Sequence, residues 1–159
     1  MLKPFKANFN QTKSRTLMSG GVIFTYLATG KETNGKCTIF EAKGIPGMEP
    51  PPHTHTKEDE SFYILEGKLL FTIGEEEVLA EAGDFVFLPR NIRHQFKVLT
   101  PFFHCISSVY PAGLENYFAP LSIPYDSNDI PPINTSPPSQ EAVEMMQKLN
   151  EEFGITYHE

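Results

Sequence analysis

Three consecutive prolines, Pro50-Pro51-Pro52, stand directly before His53-Thr54-His55. Proline lacks a backbone N–H and drives the residue before it into extended conformation, so this stretch cannot be the interior of a helix. On extended backbone, side chains at i and i+2 point to the same face. His53 and His55 therefore present both imidazoles to one side of a sheet. Glu60 lies five residues further on, with residues 56–59 free to turn the chain back. Glu60, Phe62 and Ile64 then share one face of the next strand, and Ser61, Tyr63 and Leu65 the other. His94 is distant in sequence and joins only in a fold that brings two hairpins together, as a β-barrel interior does. Three imidazoles and a carboxylate suit one divalent transition metal (Fe, Ni, Mn, Co, Zn or Cu), and ligand type does not choose among these. On a six-coordinate ion they leave room for a chelating substrate, or for substrate and O₂.

A bare His-x-His pattern is short and common, and alone it reads as a wet loop beside the acidic run Lys57-Glu58-Asp59-Glu60. The glycines around it alter that reading. Five residues separate Gly47 from His53, and six separate Glu60 from Gly67. A second segment runs Gly83, five residues, Pro89, one, Asn91, two, His94.

Short apolar runs separated by turn residues occupy the first two-thirds of the chain. The pattern predicts strands over 22–29, 37–42, 60–65, 68–73, 78–81, 85–88, 94–99 and 102–110. Asn34-Gly35 is the strongest turn dipeptide, inside the turn cluster TGKETNGK. Glu66-Gly67 reads as a two-residue hairpin turn. Strands at this spacing mean a sandwich or barrel rather than a βαβ fold. Residues 1–20 read as an arm with one strand. After Pro111, YPAGLENYFAP reads as one helical turn and residues 119–138 as a proline-rich wrap over the surface. A helix follows, with Ser136 as its cap, Pro137 at its first position, and Val143, Met146, Leu149 and Phe153 as an apolar stripe that Gly154 ends.

The length of 159 residues fits one domain, 1–159, with a core barrel over about 20–112 and the wrap and helix over about 113–159. A net charge of −7 argues against a nucleic-acid partner. No basic stripe suits a membrane surface, no window approaches a transmembrane span, and the first residues lack the apolar stretch of a signal peptide. These readings lead to the expectation of a cytoplasmic protein with Cys37 and Cys105 as reduced thiols. Thirteen phenylalanines and no tryptophan imply a greasy interior, with Phe71 or Leu70, Phe85 or Phe87, and Phe96 as candidate pocket walls. Arg90 and Arg93 do not point inward by parity with His94. His104 is assigned an outer, structural role, and His158 a solvated position at a frayed end.

The two glycine-bounded segments resemble the two motifs of the cupin superfamily. The first match is complete. In the second, Asn91 stands where the family has glycine and Val98 where it has asparagine; Asn tolerates the left-handed conformation such a turn needs. The resemblance implies an all-β double-stranded β-helix (jelly-roll, cupin barrel), with an N-terminal arm and one C-terminal α-helix here. It implies His53, His55, Glu60 and His94 as metal ligands, and a homodimer. EDESFYILEG and YPAGLENYF further resemble the quercetin 2,3-dioxygenase-like group. That implies a metal-dependent dioxygenase whose small-molecule substrate binds through an enol or phenol oxygen. Glu60 takes or holds the proton, and O₂ is the second substrate. Two alternatives stand beside it: a non-catalytic module that binds or senses a small ligand or metal, and, third, a sugar isomerase or epimerase.

Overall fold

The computed structural model describes residues 2–8, 16–127, 129–130 and 137–159. Its strands are β1 (Thr16–Ser19), β2 (Val22–Ala28), β3 (Thr38–Gly44), β4 (His53–His55), β5 (Asp59–Glu66), β6 (Lys68–Ile73), β7 (Glu76–Glu81), β8 (Phe85–Leu88), β9 (His94–Val98), β10 (Phe103–Tyr110), β11 (Ile123–Pro124) and β12 (Ile155–Tyr157). Helices are α1 (Gly30–Thr33), α2 (Leu114–Phe118) and α3 (Gln140–Phe153). One antiparallel sheet has the order β11-β1-β2-β3-β10-β5-β8, the other β12-β4-β9-β6-β7. The two face each other as a double-stranded β-helix.

Alternation along the strands fills the space between the sheets. Phe62 and Ile64 of β5, Leu69 and Phe71 of β6, Val98 of β9, and Cys105 and Val109 of β10 are all buried. Phe71 and Phe96 lie opposite each other on β6 and β9, their rings tilted at 44° with centroids 5.8 Å apart, and each also contacts Phe62. Of the predicted pocket walls, Phe71 and Phe96 lie inside, but only Phe96 lines the cavity, Phe71 being buried in the core. Phe85 and Phe87 do neither: they are 63% and 49% exposed. Their run, Phe-Val-Phe-Leu, is apolar at every position, so the sequence carries no parity. Pairing decides it. Leu88 lies opposite Glu60 and Val86 opposite Phe62, which turns Phe85 outward beside Tyr63.

The turn cluster before β3 contains one helical turn, α1. Glu32 accepts a hydrogen bond from the Thr29 N–H at 2.9 Å, and Asn34 closes the turn at φ 55°. Helix α3 begins three residues later than the sequence suggests. Ser139 caps it, accepting from the Ala142 N–H at 3.2 Å; Ser136 lies outside the described residues. Gly154 ends the helix at φ 68°. The chain does not fray there. Strand β12 pairs with β4 through Ile155↔His55, Thr156↔Thr54 and Tyr157↔His53. Consequently His158 is held rather than solvated: its N–H donates to the Pro52 carbonyl at 2.8 Å and its ring lies 2.9 Å from Thr54 Oγ1. The predicted arm contributes β1, and the proline-rich wrap contributes β11 against it. Cys37 and Cys105 are both free thiols.

Gly67 turns β5 into β6 at φ 93°, and a Cβ there would sit 2.5 Å from the Phe102 carbonyl oxygen. Backbone strain and a backbone clash coincide. Gly67→Ala is expected to cost about 2 kcal/mol or more, lowering the thermal midpoint by roughly 4–8 °C. Calorimetry checks this.

Candidate metal centre

The three-residue strand β4 carries two of the four candidate ligands. It lies between β12 and β9, and His53 is directly opposite His94. Glu60 reaches in from β5 of the other sheet. All four side chains are buried, with 3–8% of each residue exposed. One potential ligand atom from each lies within 4.8 Å of all the others. The imidazoles of His55 and His94 are stacked with an interplanar angle of 4°, and His53 meets His94 edge-on at 4.5 Å.

The imidazole hydrogen bonds determine which nitrogens face the centre. His53 Nδ1 donates to the Pro51 carbonyl at 2.9 Å, and His94 Nδ1 to the Ile92 carbonyl at 3.0 Å. His55 Nδ1 lies 3.5 Å from Glu58 Oε2. With Nδ1 of His53 and His94 each donating to a backbone carbonyl, their Nε2 atoms carry lone pairs into the cluster. His94 Nε2 sits 3.3 Å from Glu60 Oε2, and His55 Nε2 3.9 Å from it. Lone pair then faces carboxylate, and His94 Nε2 has no hydrogen-bond partner. A cation between them resolves that conflict, and three imidazole nitrogens with one carboxylate oxygen are donors that transition metals accept. The residues fit a metal ion; they do not select one.

Charge and burial act against each other here. Burial would push the Glu60 carboxyl up, but the His55 charge, a His94 contact and the remaining imidazoles outweigh it and hold the group at about 2. Burial lowers His53 to about 4 despite the pull of Glu60, with His94 and His55 adding to the depression. His53 is therefore a neutral imidazole at neutral pH, the form that could hold a metal. His55 goes the other way: burial opposes protonation, but Glu60 and Glu58 together raise its pKa above the ordinary 6.5.

The supports around the cluster explain its placement. Asn91 adopts φ 64°, the conformation its turn requires, and its N–H donates to the His55 carbonyl at 2.7 Å. Arg90 leaves the interior and pairs with Asp59, donating through Nη2 at 2.6 Å and Nε at 3.1 Å. His104 lies on the outer side of β10, 3.3 Å from Glu41, as expected.

Three features were not read from the sequence. Glu58, in the acidic run, is only 4% exposed and buttresses His55. Tyr157 packs beside His53 with ring centroids 5.6 Å apart, and its hydroxyl lies 3.3 Å from that of Tyr117. Ser107, on β10, lines the same cavity as the cluster. That cavity has a volume of about 350 Å³, within the range of small-molecule sites. Its walls include Phe40, Phe62, Phe96 and Phe103, and no lysine or arginine among the described residues.

A two-sheet β-helix with an inward His-His-Glu-His cluster is the architecture of cupins, and residues 44–102 match the family described as Cupin domain. That segment, a little over a third of the chain, carries a cupin domain. Among characterised proteins it is similar to quercetin 2,3-dioxygenase of Bacillus subtilis, 26% identical over 115 residues that make up 72% of this chain. The match spans only 34% of that enzyme, about a third of its length. Among solved structures, an RmlC-like cupin from Shewanella frigidimarina superposes with a TM-score of 0.61 at 20% identity, covering 73% of this chain and 99% of that one. KdgF from a Halomonas species gives 0.59 at 18% identity, covering 72% and 98%. These two likenesses concern the fold. Among the described residues, no helix is long and apolar enough to cross a membrane.

Carboxylates that orient a ligating imidazole typically contribute ten- to a hundredfold to metal affinity. Glu58→Ala is expected to weaken Co(II) binding by about that factor with the fold intact, as read by competition titration against a chelator. Proton competition gives a second expectation. His55 must lose its proton to bind metal, and its pKa is raised. Apparent Co(II) affinity should therefore fall as pH is lowered from about 8 to about 6, with loss beginning near neutrality. The same titration at a series of pH values checks the sign.

Proposed function

We propose that the chain is a metal-dependent dioxygenase acting on a small enolic or phenolic compound. In this reading His53, His55, Glu60 and His94 are the metal ligands and Glu60 is also the catalytic base. The observation that carries it is the convergence of three imidazoles and one buried carboxylate at the wall of an apolar, phenylalanine-lined cavity. The distant similarity to quercetin 2,3-dioxygenase supports the same reaction class.

A bound divalent metal would supply Lewis acidity, lowering the pKa of a hydroxyl brought against it. The chain's own residues supply the rest. The carboxylate of Glu60, held ionised, is placed to accept the hydroxyl proton of the substrate. The Pro51 and Ile92 carbonyls keep His53 and His94 in one tautomer and one orientation. Phe62 and Phe96 present flat apolar surface to a ring and exclude water, and low polarity strengthens the charge interactions of the site. A phosphorylated sugar would want an arginine or lysine beside the metal. The lining has neither, which favours the phenolic reading over an isomerase or epimerase.

The proposal extends to one functional domain over residues 1–159, to a cytoplasmic location and to a homodimer. Support for the dimer comes from the edge strand β8. Phe85 and Phe87 lie on its outer side beside Tyr63, itself 42% exposed.

Elemental analysis of the purified protein, followed by O₂ uptake, tests the activity. Protein loaded separately with Fe, Ni, Mn or Co is expected to consume O₂ with at least one member of a diketone and flavonol panel. Glu60→Gln should lower turnover by about a hundredfold or more. Full loading with each metal and no O₂ uptake on any substrate would overturn the assignment.

A further inference from the structure

Ser107 is 1% exposed, yet its hydroxyl has no hydrogen-bond partner. It belongs to the face of β10 that looks into the barrel, and it lines the cavity. A buried hydroxyl without a partner is unfavourable by about 1–3 kcal/mol, so such groups call for an explanation. Its neighbours sharpen the question. Ser107 lies directly opposite Phe40 on β3 and Phe62 on β5. A small polar side chain therefore separates two phenylalanines on one wall, forming a recess with a hydroxyl at its base. The metal cluster is next to it. Glu60 pairs with Val109, one inward step along β10 from Ser107, so the two inward side chains are diagonal neighbours roughly 7 Å apart.

We propose that Ser107 is the residue that selects the substrate, by hydrogen-bonding a second oxygen carried on the ring of a compound that chelates at the Glu60 end of the cavity. The inference rests on the enolic or phenolic reading above and narrows it. The ligand is a flat, largely apolar molecule with a chelating oxygen pair at one end and one further hydroxyl or carbonyl on the body that enters the recess. An analogue lacking that oxygen leaves Ser107 without a protein or ligand partner. The discrimination comes from that unpaired group as much as from the bond itself.

The test uses Co(II)-loaded protein and 3-hydroxyflavone with its monohydroxylated derivatives, whose hydroxyl positions sample different distances from the chelating pair. Binding is followed by the absorbance of the chelate. In the wild type, one derivative should bind about tenfold more tightly than 3-hydroxyflavone. In Ser107→Ala that advantage should shrink to about twofold or less, with Co(II) stoichiometry unchanged. The ligand-free variant should also gain about 2 °C or more in thermal midpoint, because an unpaired buried hydroxyl has been removed. A purely structural serine would lower it. Equal binding of all derivatives to the wild type, a preference that survives in Ser107→Ala, or a lowered midpoint would each overturn the role of Ser107 while leaving the metal-centre reading in place. Failure of every flavonol to bind the metal-loaded wild type would overturn both.

Discussion

The placement of the cluster depends on how a strand of three residues is held. Strand β4 carries His53 and His55, yet it meets β9 through a single residue pair, His53↔His94. Its other edge is fully paired, residue for residue, with β12. Flanking bonds extend that pairing at both ends: the His158 N–H reaches the Pro52 carbonyl and the Thr56 N–H the Gly154 carbonyl. Ladder bonds to β12 therefore set the direction of both imidazoles. The turn at Gly154 delivers β12 to that edge, and a Cβ there would sit 2.1 Å from Thr56 Oγ1. Helix α3, anchored by buried Leu149, fixes where that turn begins.

The cluster shows how burial and charge are reconciled. An ionised carboxylate away from water is costly unless it is paired. Glu60 stays ionised because three imidazoles surround it, and His53 stays neutral because burial and the neighbouring imidazoles outweigh the pull of Glu60 and of the Pro51 carbonyl. Glu58 gives His55 a different environment from the other two histidines. The three imidazoles are therefore not equivalent, although His53 and His55 lie in one short strand.

Much of this was legible in the chain, and the rest was illegible for identifiable reasons. His53, His55, Glu60 and His94 could be grouped because period-2 alternation and the glycine spacings of the two segments constrain their faces. The inward set Glu60, Phe62 and Ile64 followed from the same alternation and is what the pairing shows. Phe85 and Phe87 were ambiguous because their strand has no polar residue to mark its outer face. Glu58 looked solvated because its neighbours in sequence are charged; its burial comes from the fold around it. Strand β12 was hidden because three residues are too few to show a period, and its partner lies far away in the chain. Ser107 had no local signal at all: its meaning comes from Phe40 and Phe62 on adjacent strands.

The pairing of β12 with β4 also has a consequence in time. Ile155 lies opposite His55, about a hundred residues earlier in the chain. During synthesis the N-terminal part emerges first, and contacts between distant segments must wait for both partners. A growing chain that has already displayed all four residues of the cluster still lacks the strand that aligns two of them. The finished geometry of the cluster is reached only when residues 155–157 have paired with β4.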